Sequence, residues 1–198
     1  MITKRIIYIS LAIVVTAIFF FVWKVTARSQ YESADYTVLE SKGVFEIREY
    51  PSLMMVTTNM NIETQGDDGS FRRLFRYISG ANETGQKVAM TTPVLIQPDK
   101  DVRGHSMGFV IPKRVVEERV PKPSSNQVQI RERRGGRFAV IRFNGRLTSD
   151  KFAAAETRLR SWMLSQGLLG EVQVESAGYD PPWTPGLLRR NEILIRLR

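Results

Sequence analysis

The chain has 198 residues and a net charge of +9, with 42% hydrophobic and 25% charged residues, an ordinary composition for one globular domain with its own core. It contains no cysteine and one histidine, His105, which excludes disulfides, thiolate metal sites, covalent haem attachment and thiol nucleophiles. A histidine-based catalytic triad or a zinc site is left with almost no ligands.

The N-terminus has the pattern of a membrane anchor. Residues 6–23, IIYISLAIVVTAIFFFVW, carry no charge, and a bilayer core of roughly 30 Å takes about 20 helical residues. A cleaved signal peptide is the alternative, because residues 25–27 loosely fit a cleavage site. The length of the run, and Lys24 directly after it, favour an uncleaved transmembrane helix. We therefore predict an anchor over 1–28.

The positive charges flanking this run do not decide its orientation. Lys4 and Arg5 precede it and Lys24 and Arg28 follow it. A short basic head before a first anchor favours a single-pass membrane protein whose soluble domain lies on the non-cytoplasmic, periplasmic side. The remaining residues carry a net charge of +5, less than expected of a dedicated nucleic-acid binder.

A polar linker is predicted over 29–35, and a soluble domain over 36–198. Residues 36–60 alternate as two or three strands. The segment FRRLFRYISG then predicts a helix, with Ser70 as its N-cap and Gly80 at its end. Its apolar side chains recur at helical spacing on one face: Phe71, Leu74, Phe75 and Ile78.

Two more strands follow, KVAMTTPVLIQ (87–97) and SMGFVIP (106–112), and Pro93 marks an edge or a bulge. The order then recurs. Residues 127–145 predict strand, Gly-Gly turn, strand, and a helix capped by Thr148 or Ser149 ends at Gly167. The last two strands are VQVESAGYD and RRNEILIRL. This internal repeat predicts two copies about a pseudo-two-fold axis, with the sheet closing on itself.

Four segments in this order and spacing resemble the SOUL haem-binding protein family: VAMTTPV (88–94), MGFVIP (107–112), AAETRLRSWM (154–163) and GYDPPWTPGLLRRNEI (178–193). The resemblance covers about residues 36–198. It implies an α+β fold, namely a distorted antiparallel β-barrel from two pseudo-symmetric βαββ-type halves with two flanking helices. The same architecture occurs in bacterial effector-binding domains.

The resemblance implies reversible, non-covalent binding of haem or another tetrapyrrole beside the first helix. The apolar side of that site would come from Phe71 and Phe75, and the cations for the propionates from Arg72 and Arg76, because a guanidinium binds both oxygens of a carboxylate. Trp183 in the DPPWTP loop would stack on the macrocycle. Two alternatives remain for this helix: its apolar face packs in the core, and its arginines form a face exposed to solvent.

The iron ligand is not specified by the shared segments. His105 is the one strong axial candidate, placed here in a polar hairpin connection. Met90 is a weaker candidate, since strand methionines usually fill space in the core. The arginines and glutamate of RRNEI have a structural alternative, in which Arg189, Arg190 and Glu192 tie the loop to the sheet by ion pairs.

Three classes of function remain. The first is a membrane-tethered haem or tetrapyrrole binder acting as carrier, buffer or sensor. We expect it to be a monomer and to bind no nucleic acid. The second is an effector-binding-type module for another small ligand or a partner protein, without haem. An enzyme is not expected, because Glu156 and Asp180 do not form a paired acid and base in the sequence. An arginine group in the second half is expected to face solvent or membrane: Arg131, Arg133, Arg134, Arg137 and Arg142.

Overall fold

A computed structural model describes residues 8, 12–17, 31–61, 68–99, 104–181 and 184–198, and the statements below concern these residues. The strands are β1 Glu32–Ser33, β2 Thr37–Lys42, β3 Phe45–Tyr50, β4 Leu53–Met60, β5 Thr91–Thr92, β6 Val94–Asp99, β7 Gly104–Val110, β8 Gln129–Arg133, β9 Gly136–Asn144, β10 Glu175–Gly178 and β11 Arg190–Arg196. The helices are α1 Ser70–Ile78, α2 Lys113–Glu118 and α3 Ser149–Ser165. Residues 12–17 are also helical, and Gly186–Leu188 form a 3₁₀ turn.

Nine strands form one antiparallel sheet in the order β2-β3-β9-β11-β10-β6-β7-β4-β8, and β1 and β5 form a separate parallel pair. The predicted α+β class with a large antiparallel sheet is confirmed. The predicted closed barrel is wrong, because the terminal strands β2 and β8 do not pair with each other. The result is an open sheet with two edges.

The predicted internal repeat appears in the order of the central strands. One half contributes β4, β7 and β6, and the other contributes β9, β11 and β10, so that the two orders mirror each other across the β6–β10 pair. Helix α1 lies over β4 and β7, and α3 lies over β9 and β11. Each helix covers two strands of its half and leaves the central pair less covered.

Two strand pairs, β3 with β9 and β4 with β8, continue into each other and form one long two-stranded ribbon. The ribbon joins the two ends of the sheet order, so the sheet has to curve. Strands β3 and β4 are joined by two residues only, 51–52, and β8 and β9 by residues 134–135. The register is continuous across both joints, since Tyr50 pairs with Gly136 and Leu53 with Arg133. The predicted Gly-Gly hairpin is therefore wrong: β8 pairs with β4 and β9 with β3, and the chain runs straight on through Gly135.

Gly135 permits two backbones to approach closely at this joint. A Cβ at that position would lie 2.6 Å from the carbonyl oxygen of Tyr50 and 2.7 Å from the backbone nitrogen of Ser52. A side chain cannot be placed there without moving backbone, so glycine is required for the approach rather than for a turn.

Three apolar clusters follow from this curvature. The inner face of the sheet encloses one cluster, to which β3, β4 and the strands between them in the sheet contribute, including Tyr50, Met55 and Phe138. The outer face carries one cluster beneath α1 and another beneath α3. Burying a large apolar side chain stabilises the fold by roughly 1.5–3 kcal/mol, so these clusters hold both helices on the sheet.

The two helices begin differently. In α3 the hydroxyl of Thr148 accepts a hydrogen bond from the backbone N–H of Lys151 at 3.4 Å, which confirms the predicted cap. In α1 the predicted cap by Ser70 is wrong. The cap position is Gly69, and the hydroxyl of Ser70 donates instead to the sulfur of Met107 at 3.7 Å. Asp68 accepts from the backbone N–H of Ser70 at 2.9 Å.

The predicted transmembrane segment lies largely outside the described residues. Only Tyr8 and residues 12–17 of the run 6–23 are described, and no helix among the described residues has the length and hydropathy needed to cross a bilayer. Strand β1 lies within the stretch predicted as a linker, 29–35, and Ala34 belongs to the inner apolar cluster.

We predict that Gly135→Ala destabilises the fold by about 1–3 kcal/mol or more, because the added methyl group overlaps backbone atoms that have no room to relax. The matched control is Gly178→Ala, a strand glycine around which a Cβ would meet nothing within 4 Å. Urea unfolding followed by tryptophan fluorescence measures both variants. Equal stability of the two would contradict the close approach at Gly135.

Candidate functional site

Helix α1 is held on the sheet by one buried face. Leu74, Tyr77 and Ile78 are buried against β4 and β7, where they meet Val56 and Phe109. The hydroxyl of Tyr77 donates to the carbonyl oxygen of Pro121 at 2.7 Å, and burial raises the pKa of Tyr77 to about 12. This face is core, as the apolar spacing predicts, and it leaves the two sides of the helix available.

One side of α1 is apolar and partly open. The ring of Phe71 packs edge-on against Phe109 at 5.3 Å and lies nearly parallel to Phe75, with centroids 6.1 Å apart and planes 13° apart. Phe75 is 50% exposed. Val94 and Ile96 of β6 pair with Phe109 and Met107 of β7, so they share this face and are only partly buried. We call Phe71, Phe75, Val94 and Ile96 the apolar flank.

The predicted cations divide between the two sides of the helix. At roughly 100° per residue, Arg72 lies about 60° from Phe75 around the helix axis. Its exposed side chain reaches back to Gly69, close to the guanidinium of Arg73, and a change of rotamer would bring its charge to the edge of the apolar flank. Arg76 lies further round and lines a cleft on the opposite side with Arg73 and Tyr77. The sequence therefore placed four side chains at one site, whereas helical geometry joins only Phe71, Phe75 and Arg72 closely.

Arg73 has a structural task. Its Nε donates to the hydroxyl of Thr58 at 2.9 Å, and its two terminal nitrogens donate to the backbone carbonyls of Asp68 and Asn59 at 2.9 and 2.7 Å. These bonds tie α1 to the end of β4. Burial opposes ionisation of Asp68, but hydrogen bonds from Ser70 and the nearby Arg73 hold the pKa of its carboxyl below the ordinary value.

His105 belongs to a strand, not to a hairpin connection. It is the second residue of β7 and pairs with Met60 and Pro98. By strand alternation its imidazole lies on the same face as Met107 and Phe109, the face that carries α1, and it is half-buried. The loop placement predicted from sequence is therefore wrong, because the polar residues before Gly104 conceal the start of the strand.

The structure places only one of the two other residues predicted to contact haem, Trp183 and Met90. Trp183 lies outside the described residues. Met90 is partly buried against the cluster beneath α1. Among the described residues, no three His, Asp or Glu side chains come together in a way that could hold a metal ion.

Sequence reasoning missed most of a buried charge cluster on the inner face. The guanidinium of Arg48 donates to both carboxylate oxygens of Glu192, at 2.7 and 2.9 Å, and both side chains are fully buried. Arg48 also binds Glu46 at 2.6 Å and lies over the ring of Tyr36 at 4.2 Å. The hydroxyl of Tyr179 donates to Glu192 at 2.8 Å. The alternation Glu46, Arg48, Tyr50 was the available signal.

Glu192 does confirm one structural expectation, that an ion pair of the RRNEI segment fastens it to the sheet, and its main partner is Arg48 of β3. Burial by itself would raise the pKa of Glu192, but the hydrogen bonds and charges of Arg48 and Arg190 lower it. Burial raises the pKa of Tyr50 to about 12 and also raises that of Tyr179. These groups keep one protonation state at neutral pH and hold the fold together.

The arginine group of the second half is mostly paired. Arg133 is buried, donates to Glu175 at 2.7 Å and lies over the ring of Phe138 at 4.2 Å. Arg131 pairs with Asp99 at 3.1 Å. The expectation of a solvated or membrane-facing row of arginines is therefore wrong for Arg133, because alternate residues of β8 point to the inner face.

The two acids considered for catalysis also have partners. Glu156 pairs with Arg160 at 2.8 Å on the surface of α3. Asp180 accepts from the backbone N–H of Arg190 at 2.6 Å. These bonds give both acids structural contacts.

Comparisons with known proteins agree with this geometry. The model of the SOUL heme-binding protein family matches residues 31–196. Heme-binding protein 1 of Mus musculus is 31% identical over 131 residues, covering 62% of this chain and 67% of that protein. Heme-binding protein 1 of Bos taurus is 29% identical over 128 residues, covering 62% of this chain and 66% of that protein. The chain thus spans about two thirds of the length of these curated relatives.

A solved structure shows the same fold at low identity. The crystal structure of the EcmrR C-terminal domain superposes with a TM-score of 0.53 at 12% identity, covering 82% of this chain and 98% of that one. At this identity the likeness extends to the fold alone.

We predict that Arg48→Met costs about 3–5 kcal/mol of unfolding free energy, because it leaves the Glu192 carboxylate buried without its main partner. The control is Arg142→Met, since the guanidinium of Arg142 is 40% exposed and its buried partner Glu46 keeps the hydrogen bond from Arg48. We expect this variant to cost about 1 kcal/mol. Because the folded-state pKa of Glu192 is lowered, its stabilising contribution is present above the ordinary value of 4.5 and is lost as pH falls through its folded pKa.

A Glu192→Gln variant should consequently show a shallower loss of unfolding free energy between about pH 5 and pH 3 than the unmodified chain. Urea titrations at several pH values measure both slopes. Parallel slopes, or equal effects of the two arginine variants, would contradict a buried and ionised Glu192.

Proposed function

We propose, since the chain belongs to the SOUL heme-binding protein family, that it binds haem or another tetrapyrrole reversibly and non-covalently on the apolar flank of α1. In this role it is a carrier, buffer or sensor, and it performs no catalysis. The relatives named Heme-binding protein 1 support the ligand class. The geometry of α1 supports the location.

The observation that carries the location is the exposed aromatic pair. Phe71 and Phe75 lie nearly parallel, and half of Phe75 is open to solvent although the neighbouring face of the helix is buried. Val94 and Ile96 extend the same surface along β6. A flat macrocycle could stack on the phenyl rings and bury the aliphatic side chains, with a gain of roughly 25 cal/mol per Å² of apolar area removed from water.

The charged edge of the ligand would meet arginine. Arg72 lies at the border of the apolar flank and is exposed, so its guanidinium can take both oxygens of a propionate. Arg76 lies further round the helix and could reach only a propionate that extends past Arg72. We therefore assign Arg72 the larger contribution.

His105 is the proposed axial ligand of the iron. It lies on the α1 face of β7, beyond Met107, and is half-buried at the end of the strand. When bound, haem would supply redox and gas-binding chemistry at its iron. The chain's own residues would hold the ring, orient the propionates and shield one face from water.

The test is a hemin titration of the full-length chain in non-ionic detergent, followed at the Soret band. We expect saturation near one equivalent. Phe75→Asp should weaken binding at least 10-fold, because it places a charge where the macrocycle stacks. The matched control is Leu164→Asp, which replaces an apolar side chain of α3 that is more exposed, 81% open to solvent against 50% for Phe75, and should leave the affinity unchanged.

Two further variants refine the assignment. Arg72→Gln should weaken hemin binding several-fold more than Arg76→Gln, and His105→Ala should shift the Soret maximum if the imidazole binds the iron. A non-saturating response, identical in all variants, would contradict haem binding. It would favour the second class of function, an effector-binding-type module for another ligand.

The chain is further proposed to be tethered to a membrane by residues 6–23, with its domain as a monomer on the periplasmic side. The support is the sequence: seven residues, 24–30, separate an uncharged run of 18 residues from the first described residue of the domain, Tyr31. A linker of that length spans at most about 25 Å when extended, so the domain would remain close to the bilayer.

We predict that the full-length chain stays in the membrane pellet after an alkaline carbonate wash. Ile13→Arg/Val14→Arg should release it, because each central arginine costs about 2.5–3.5 kcal/mol of insertion. The control, Ser29→Arg/Gln30→Arg, adds the same charge outside the run and should stay in the pellet. Recovery of the unmodified chain in the wash would refute the tether.

A further inference from the structure

A second concave surface lies on the side of α1 opposite the apolar flank. It consists of two adjoining cavities of about 410 and 240 Å³ that share Arg73 and Gln127. Their walls are the end of β4, the outer side of α1 and the segment 123–128 that leads into β8. We call this surface the polar cleft.

The lining of the polar cleft suits an anion. It combines the guanidinium groups of Arg73 and Arg76 with hydroxyl and amide side chains: Thr58, Asn59, Ser124, Ser125, Asn126 and Gln127. Among the residues that the structure describes, no aspartate or glutamate lines either cavity. The carboxylate of Asp68 lies 3.8 Å from the guanidinium of Arg73.

Arg73 and Arg76 differ in how firmly the protein holds their guanidinium groups. Arg73 is immobilised by its bonds to Thr58 and to the carbonyls of Asp68 and Asn59, so its charge is fixed at the wall. The guanidinium of Arg76 makes no hydrogen bond or ion pair with any residue that the structure describes, and it is exposed. A fixed charge beside a free guanidinium that can close on a ligand is an arrangement suited to carboxylate or phosphate.

The opposite wall is held in place by the protein itself. The hydroxyl of Thr58 donates to the carbonyl oxygen of Gln127 at 2.7 Å, and the hydroxyl of Ser125 accepts from the backbone N–H of Gln127 at 3.2 Å. Tyr77 fastens the segment at Pro121, and Asn82 forms a bridge with Pro123. The cleft is thus organised before any ligand enters, which lowers the entropic cost of binding.

We propose that the polar cleft binds a small, hydrophilic, phosphate- or carboxylate-bearing molecule, with Arg76 as its mobile ligand-binding residue and Arg73 as the fixed charge. The apolar side chains in the lining are small or buried, such as Pro123 and Val128, and they present no exposed aromatic ring on which a tetrapyrrole could stack. The site is separate from the apolar flank, and its existence does not rest on haem binding.

The experiment titrates the haem-free, full-length chain in non-ionic detergent with inorganic phosphate, glycerol 3-phosphate, citrate and short-chain phosphatidylglycerol. Ionic strength is held constant with chloride, because unspecific attraction to a basic protein is screened by salt. Backbone ¹H–¹⁵N signals report the location. We expect saturable shifts confined to Ser124–Val128 and the exposed side of α1 with at least one of the three soluble probes.

Two variants distinguish binding at the polar cleft from unspecific attraction to the positive charge of the protein. Arg76→Gln should weaken the binding at least 10-fold, whereas Arg72→Gln removes the same charge from the same helix outside the cleft and should change it less than twofold. Four outcomes would overturn the proposal. Two concern the variants: both bind the anion equally weakly, or both keep the affinity of the unmodified chain. The other two are binding of the lipid alone and the absence of saturable shifts with every probe. Hemin affinity of Arg76→Gln, measured alongside, distinguishes failure of this site from failure of the haem site.

Discussion

The close passage of two backbones at Gly135 sets the shape of the whole domain. Because no side chain separates Gly135 from the joint between β3 and β4, two long chain segments bend together while keeping one register. This bend brings strands from opposite ends of the sheet order around one inner core. On the outer face, α1 and α3 consequently pack on separate parts of the sheet.

The inner face of the sheet contains a buried cluster of charged side chains as well as apolar ones. Arg48 of β3 and Glu192 of β11 are fully buried and pair with each other, the hydroxyl of Tyr179 donates to the carboxylate, and the hydroxyl of Tyr50 accepts from Arg48. Since a buried charge without a partner costs several kcal/mol, this cluster favours the arrangement in which β3 and β11 lie on either side of β9. The inner face is consequently occupied by structure, and the candidate ligand sites lie outside it.

Helix α1 organises both candidate sites because its three sides differ. One side is buried, one presents stacked phenyl rings beside β6, and one presents guanidinium groups to a polar loop. A helix of nine residues can do this because successive side chains are about 100° apart. The two sites therefore differ in ligand chemistry although they share a scaffold, and a change at Arg76 need not disturb Phe75.

Local pattern in the sequence determined the identity of most elements. The spacing of Phe71, Leu74, Phe75 and Ile78 predicts α1, the cap at Thr148 begins α3, and the repeated order of strands and helices predicts the mirrored halves. Tertiary structure alone decided the open sheet, the strand position of His105, the passage through Gly135 and the cleft that Arg76 lines. Periodicity is set by neighbouring residues and is visible in a single sequence. Pairing between β3 and β9 or between Arg48 and Glu192 joins residues about 90 and 144 positions apart, and only the free energy of the folded core selects it.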